Sequence, residues 1–154
     1  RDLHTAYRRQ RQICLRDRSR TMALAQQLFQ GINLGNGEEG LITYMRTDST
    51  ALSNQSLVEI KNYVNKSYGD NYYESRKYKT KSANAQEAHE AIRPTSINRT
   101  PDSIKSFLDD DQFKLYDLIW KRSVASQMSE SVNKKTTIIT SSENEKYKFK
   151  SDYD

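Results

Sequence analysis

Between Phe113 and Met128 the large apolar residues step by three or four: Phe113, Tyr116, Trp120, Val124 and Met128, with Leu115 and Ile119 widening the stripe. That period is helical, and a stripe this wide has to be buried against other elements. A helix from about Asp111 is therefore the element around which the rest must pack. Asp109-Asp110-Asp111 reads as the charge run that opens it, because carboxylates are favourable at a helix N-terminus. Little else apolar is available to cover the stripe. Of 154 residues, 34% are hydrophobic and 29% charged, and mean hydropathy is −0.97. The core must be modest and assembled from a few short stripes.

Those stripes are legible. Ser19 is placed to cap a helix carrying Leu24, Ala25, Leu28 and Phe29, and Gly31 to end it. Asn33 to Gly40 (NLGNGEEG) reads as a turn or flexible loop, and Leu41 to Arg46 (LITYMR), β-branched and aromatic, as a strand. Ser53 begins a second helix with Leu57, Ile60, Val64 and Tyr68 on one face, closed by Gly69. Tyr72 to Lys81 mixes aromatics with cations and has no clear period. Ala83 to Ile92 is compatible with a helix that Pro94 halts at Arg93. Thr100-Pro101 is a cap followed by an N1 proline. Thr136 to Thr140 and Lys146 to Lys150 read as two strands about a polar turn, with Tyr147 and Phe149 on one side and Lys146, Lys148 and Lys150 on the other.

Several function classes fall away at this level. No apolar run approaches the ~18 residues of a spanning helix, and no apolar stretch near Arg1 reads as a signal peptide. No membrane partner is expected, and the chain is expected to be cytoplasmic. A single cysteine, Cys14, forms no internal disulfide, and with only His4 and His89 it assembles no zinc set. The net charge is +5, but residues 1–18 carry six arginines against Asp2 and Asp17, whereas the remainder holds 19 basic and 18 acidic groups. Residues 1–18 are expected to be a solvated, disordered basic segment, and any polyanion site must be local. Both ends of the chain are expected to be truncated.

Two clusters carry chemistry. In Thr43-Tyr44-Met45-Arg46-Thr47-Asp48-Ser49 a strand would put Tyr44 and Arg46 on the same side and Met45 on the other. A phenol titrates near ~10 and is a weak nucleophile at neutral pH. A neighbouring guanidinium favours the phenolate and also grips a phosphate in a fork. Tyr44 beside Arg46 thus makes physical sense as a phosphodiester-attacking pair, although such pairs on strands are more often plain surface contacts. In Gln86-Glu87-Ala88-His89-Glu90-Ala91-Ile92-Arg93-Pro94-Thr95, a helix would bring His89 and Arg93 to one face at i and i+4. His89 could bind a phosphate or move a proton; a capped helix end with a satisfied histidine is the commoner case. The pattern is not HExxH, which excludes a zinc protease.

Gly40 to Thr50 (GLITYMRTDST), then Ala85 to Thr95 (AQEAHEAIRPT), then Leu115 to Met128 (LYDLIWKRSVASQM), in that order, resemble the bacterial topoisomerase I branch of the type IA DNA topoisomerases. The resemblance runs from about Ser19 to the C-terminus, and Met45 fits the topoisomerase I form of the motif. Residues 1–18 depart from the family pattern and are expected to be non-native.

The resemblance implies an α+β fold: a mainly helical active-site domain over residues 19–130 that lifts away as a DNA gate, then the first strands of an arch-forming β domain over 131–154, poorly ordered or forming only a hairpin. It implies that Tyr44 cuts one DNA strand through a 5′-phosphotyrosine intermediate, without ATP, in an enzyme relaxing negative supercoils. Arg46 would brace the phosphate, His89 would hold a nearby phosphate, and Arg93 would support that segment. Thr43, Asp48 and Ser49 would fix the local backbone and the strand. Mg²⁺ would sit on carboxylates of an upstream domain, with no cofactor in this chain, which would be inactive in relaxation alone. The implied partners are single-stranded DNA and the remaining domains of the same polypeptide, in a monomer. The competing reading is a non-enzymatic single-stranded nucleic-acid-binding module, suggested by the ten tyrosines and the Tyr72 to Lys81 stretch; a purely structural helical adaptor is a third.

Overall fold

The computed structural model describes residues 17–78, 90–131, 136–141 and 148–153. Helix α1 (17–30) is followed by β1 (Ile32–Asn33) and β2 (Glu38–Glu39), then α2 (Asn54–Ser67), a 3₁₀ turn (Asp70–Tyr72), α3 (Pro101–Ile104), a second 3₁₀ turn (Lys105–Phe107), α4 (Asp110–Ala125), β3 (Thr136–Ser141) and β4 (Lys148–Tyr153). The class is α+β, with the helices supplying most of the core.

Helix α4 is the centre that its stripe demands. Asp109 caps it, accepting from the Asp111 and Gln112 amides, while the Gln112 side chain accepts from the Asp109 amide in a full capping box. Tyr116, Trp120 and Val124 are buried from it, against Leu28 of α1, Ile60 and Val64 of α2, and Leu41, Ile42 and Ile97 of the connecting segments. The two large aromatics also fasten a loop by their polar ends. Tyr116 Oη donates to Arg99 O at 2.8 Å and Trp120 Nε1 donates to Ile97 O at 2.9 Å. Burial pushes the Tyr116 phenol up to about 12, with the Arg99 charge opposing.

Helix α2 matches expectation: Ser53 caps it by accepting from Ser56 N, and Gly69, at φ 105°, follows it with its amide on Val64 O and Asn65 O. Thr100 and Pro101 open α3, which is one turn long.

Four local expectations need correction. Helix α1 is already running at Asp17, so Ser19 lies within it and is not its cap; an apolar stripe that begins at Leu24 leaves the start of the helix undetermined. Residues 33–40 are not simply a loop, because β1 and β2 pair as a small antiparallel hairpin, Ile32 opposite Glu39 and Asn33 opposite Glu38. Leu41 to Arg46 forms no strand. Its pairing is a single antiparallel bridge, Ile42 with Pro94, since the Leu41 amide is taken by Leu28 O at 2.7 Å and the Arg93 amide by the Thr43 hydroxyl at 3.0 Å, which leaves both flanking pairs half-made. Residues 90–92, finally, are not helical. The Ala91 amide donates to Ala51 O and the Thr95 amide to Leu41 O, so this segment spends its backbone on other parts of the chain. The remainder of the expected 83–92 helix lies outside the described residues.

β3 and β4 form an antiparallel hairpin, in register from Thr136 opposite Tyr153 to Ser141 opposite Lys148. Positions 136–141 and 148–151 are all exposed, so Phe149 and the lysines beside it alike face solvent. The intervening turn and Tyr147 lie outside the described residues, as do residues 1–16.

Candidate active site

Tyr44 stands on a three-residue turn. Behind it Leu41 and Ile42 are both buried, and the Thr43 amide donates to Arg93 O at 2.9 Å. Ahead of it the Arg46 amide donates to Tyr44 O at 2.8 Å, closing a turn over Met45. Met45 is 8% exposed and Tyr44 is 57% exposed; Arg46 is exposed as well. The opposed facing expected of a strand is therefore achieved by a turn. The Tyr44 ring meets Phe29, from the last turn of α1, edge-on at 5.3 Å between centroids. One edge of the phenol is supported and the remainder is presented to solvent.

Thr43 anchors this turn. Its hydroxyl donates to Ala91 O at 2.8 Å and accepts from the Arg93 amide at 3.0 Å. Arg46 Nε lies 2.7 Å from Asp48 Oδ2, which orients the guanidinium alongside the turn; Asp48 Oδ1 is buried with no donor among the described residues. The Ser49 hydroxyl accepts from the Ala51 amide at 3.2 Å and shapes the approach to α2.

Arg93 is directed inward, its side chain 13% exposed. Its Nε and Nη2 contact Glu90 Oε1 and Oε2 at 2.6 and 3.1 Å, Nη1 donates to Pro94 O at 2.7 Å, and Nη2 reaches Ser53 Oγ at 3.5 Å. Glu90 Oε1 also accepts from the Ser53 amide at 2.7 Å. Burial pushes the Glu90 carboxyl up, but the hydrogen bonds from Arg93 and Ser53 and the Arg93 charge together outweigh it and hold the group below its ordinary value of 4.5. The Arg93–Glu90 fork therefore ties the segment after residue 89 to the N-terminus of α2, and through Thr43 to the Tyr44 turn. His89 lies outside the described residues.

Three contributors escaped the sequence reading. Glu90 lay in the quoted motif, and its spacing of three from Arg93 was the available signal. Phe29 reads in the sequence only as one of the apolar positions of α1. Gln127, with no exposed surface, accepts from the Arg76 amide and donates to Arg76 O, both at 3.0 Å, holding residues 73–78 along the end of α4; nothing in a lone glutamine after a helix announces that role.

Among the described residues no three His, Cys, Asp or Glu side chains converge. Asp48 is engaged by Arg46, and Glu90 by Arg93 and Ser53. No helix among the described residues is long and apolar enough to cross a membrane.

Comparison with known proteins agrees with this architecture. The family profile described as DNA topoisomerase matches residues 12–153, beginning inside the basic segment. DNA topoisomerase 1 of Rickettsia conorii is 51% identical over 130 residues, which are 83% of this chain and 17% of that protein. The Rickettsia felis protein of the same name is 49% identical over the same shares. The chain thus spans about one sixth of the length of these relatives. The structure of full-length topoisomerase I from Thermotoga maritima superposes with a TM-score of 0.68 at 39% identity, over 87% of this chain and 21% of that one. The chain belongs to the bacterial DNA topoisomerase I family, of type IA.

Proposed function

We propose that this chain carries the strand-cutting tyrosine of a DNA topoisomerase that relaxes negative supercoils by opening and resealing one strand without ATP. Tyr44 Oη attacks a backbone phosphorus, a P–O bond forms, and the bond to the 3′ oxygen breaks. The phenol loses a proton and the departing 3′ oxygen gains one, leaving a 5′-phosphotyrosine and a free 3′-hydroxyl. Return of that hydroxyl reverses each change, and because the phosphodiester energy is kept in the tyrosyl link no ATP is required. Arg46 steadies the phosphate and the charge that develops on it. Thr43 and Arg93 act behind the turn as positioning residues; Asp48 orients Arg46, Ser49 shapes the following backbone, and His89 is assigned to a neighbouring phosphate.

The observation that carries this reading is an exposed phenol on a tethered turn, two residues from an exposed guanidinium, within the family match. Magnesium belongs, on this reading, to carboxylates of a separate acidic domain, and the 154 residues alone do not relax supercoils. Single-stranded DNA and the enzyme's other domains are the partners, in a cytoplasmic monomer. Residues 19–130 form the gate domain and 131–154 begin the arch.

The test is a chimera in which this chain replaces the matching segment of Rickettsia conorii DNA topoisomerase 1, mixed with a labelled single-stranded oligonucleotide and magnesium and run on a denaturing gel. A shifted band that disappears in Tyr44→Phe is expected. Oligonucleotide binding with no band would overturn the catalytic role and leave a binding module.

A further inference from the structure

Beside the Tyr44 turn lies a cleft of about 360 Å³ bordered by Arg46, Leu52, Tyr78, Ile92 and Arg122. A second, of about 260 Å³, adjoins it; Thr50, Leu52 and Tyr78 border both, and Arg76 and Lys77 line the far side. Among the described residues four cations line the two clefts and no carboxylate does, although beyond residue 18 acidic and basic residues are almost equal in number. Arg46 and Arg76 have carboxylate partners; among the described residues no carboxylate pairs with Arg122 or Lys77. Tyr78 is half exposed, and its hydroxyl donates to Ser126 O at 3.0 Å, which pins the ring between the clefts.

We propose that these clefts form a subsite for two successive nucleotides of single-stranded DNA, with their bases on either side of the Tyr78 ring and their phosphates on Arg122 and Lys77. An aromatic face offers stacking to any base, the Leu52 and Ile92 side chains supply an apolar wall, and two cations that no carboxylate among the described residues engages supply the phosphate contacts. An acidic peptide would find the charges but would have no use for the ring and apolar wall, so the observations favour a strand. The subsite begins at Arg46 and so continues from the phosphate that Tyr44 is proposed to attack; the inference rests on that reading for its place along the strand, but not for the binding itself.

The experiment is an NMR titration of the full chain, without cleavage, using a short oligothymidylate, the same oligomer with one internal abasic residue, and poly-glutamate. Shifts are expected at Thr50, Leu52, Tyr78, Ile92 and Ser126. Tyr78→Ala should weaken binding about fivefold or more, Tyr78→Phe, which keeps the ring but loses the bond to Ser126 O, should bind between wild type and Tyr78→Ala, and the abasic oligomer should bind Tyr78→Ala as well as the intact one does. Arg122→Ala should reduce the salt dependence by about 0.7 in log–log slope. Shifts confined to other residues, unchanged affinity in both Tyr78→Ala and Arg122→Ala, or equal shifts with poly-glutamate would each overturn the proposal. Absence of the covalent band in the chimera would sink the Tyr44 reading and leave this binding result standing.

Discussion

Thr43 and Arg93 are bonded reciprocally: the Thr43 amide donates to the Arg93 carbonyl, and the Arg93 amide donates to the Thr43 hydroxyl. With Ala91 O receiving that hydroxyl's proton, one side chain satisfies two backbone groups of a segment nearly fifty residues away. Thr43→Val keeps the shape and leaves both groups without that partner. Each half-buried group left unmade costs about 1–3 kcal/mol, so urea unfolding should show a loss of roughly 2 kcal/mol or more. Thr43→Ser, which restores the hydroxyl, should recover most of it.

The edge contact between Phe29 and Tyr44 gives the phenol its only ring neighbour among the described residues. Phe29→Ala should cost roughly 1–3 kcal/mol, below the value for a fully buried phenylalanine because the residue is half-buried. In the chimera, adduct formation should slow under conditions where the protein is still folded, whereas Phe29→Leu should slow it less. Equal rates for all three would show that the contact does not position Tyr44.

Gly40 sits where the chain leaves the hairpin and passes under the end of α1. A Cβ there would lie 2.7 Å from Phe29 O, a backbone atom that cannot swing away. Gly40→Ala should therefore cost about 1–3 kcal/mol through displaced backbone, and the shift should be visible in the Leu41 amide, whose bond to Leu28 O is adjacent. Thermal or urea unfolding checks it.

Glu90 makes part of the stability acid-sensitive. Because its folded value lies below 4.5, its contribution is present above that pH and is lost as pH falls through the lower folded value. Stability followed from pH ~6 to ~3 should decline less steeply in Glu90→Gln than in the native chain. Arg93→Lys should also weaken the acid dependence, since an ammonium cannot reproduce the two-point contact of the guanidinium.

Helices α2 and α4, the Thr100-Pro101 start, the glycines that follow α1 and α2, and the C-terminal hairpin were all legible in the sequence. Each depends on signals within a few residues of one another: an apolar period, a cap, a proline at N1, alternation about a polar turn. The motif order likewise identified the family. What the tertiary structure alone decided concerns the candidate site. Leu41 to Arg46 has the composition of a strand, yet Leu28 takes the Leu41 amide, the Thr43 hydroxyl takes the Arg93 amide, and the chain turns at Met45. Arg93 reads as the i+4 companion of His89 on one helix face, yet Glu90 and Ser53 draw it inward. Tyr78 reads only as one aromatic of the mixed Tyr72 to Lys81 stretch, yet Ser126 pins it between two basic clefts. In each case a deciding partner lies roughly forty to fifty-five residues away along the chain. Local periodicity and capping act over one or two turns of chain, so only packing could bring those partners together.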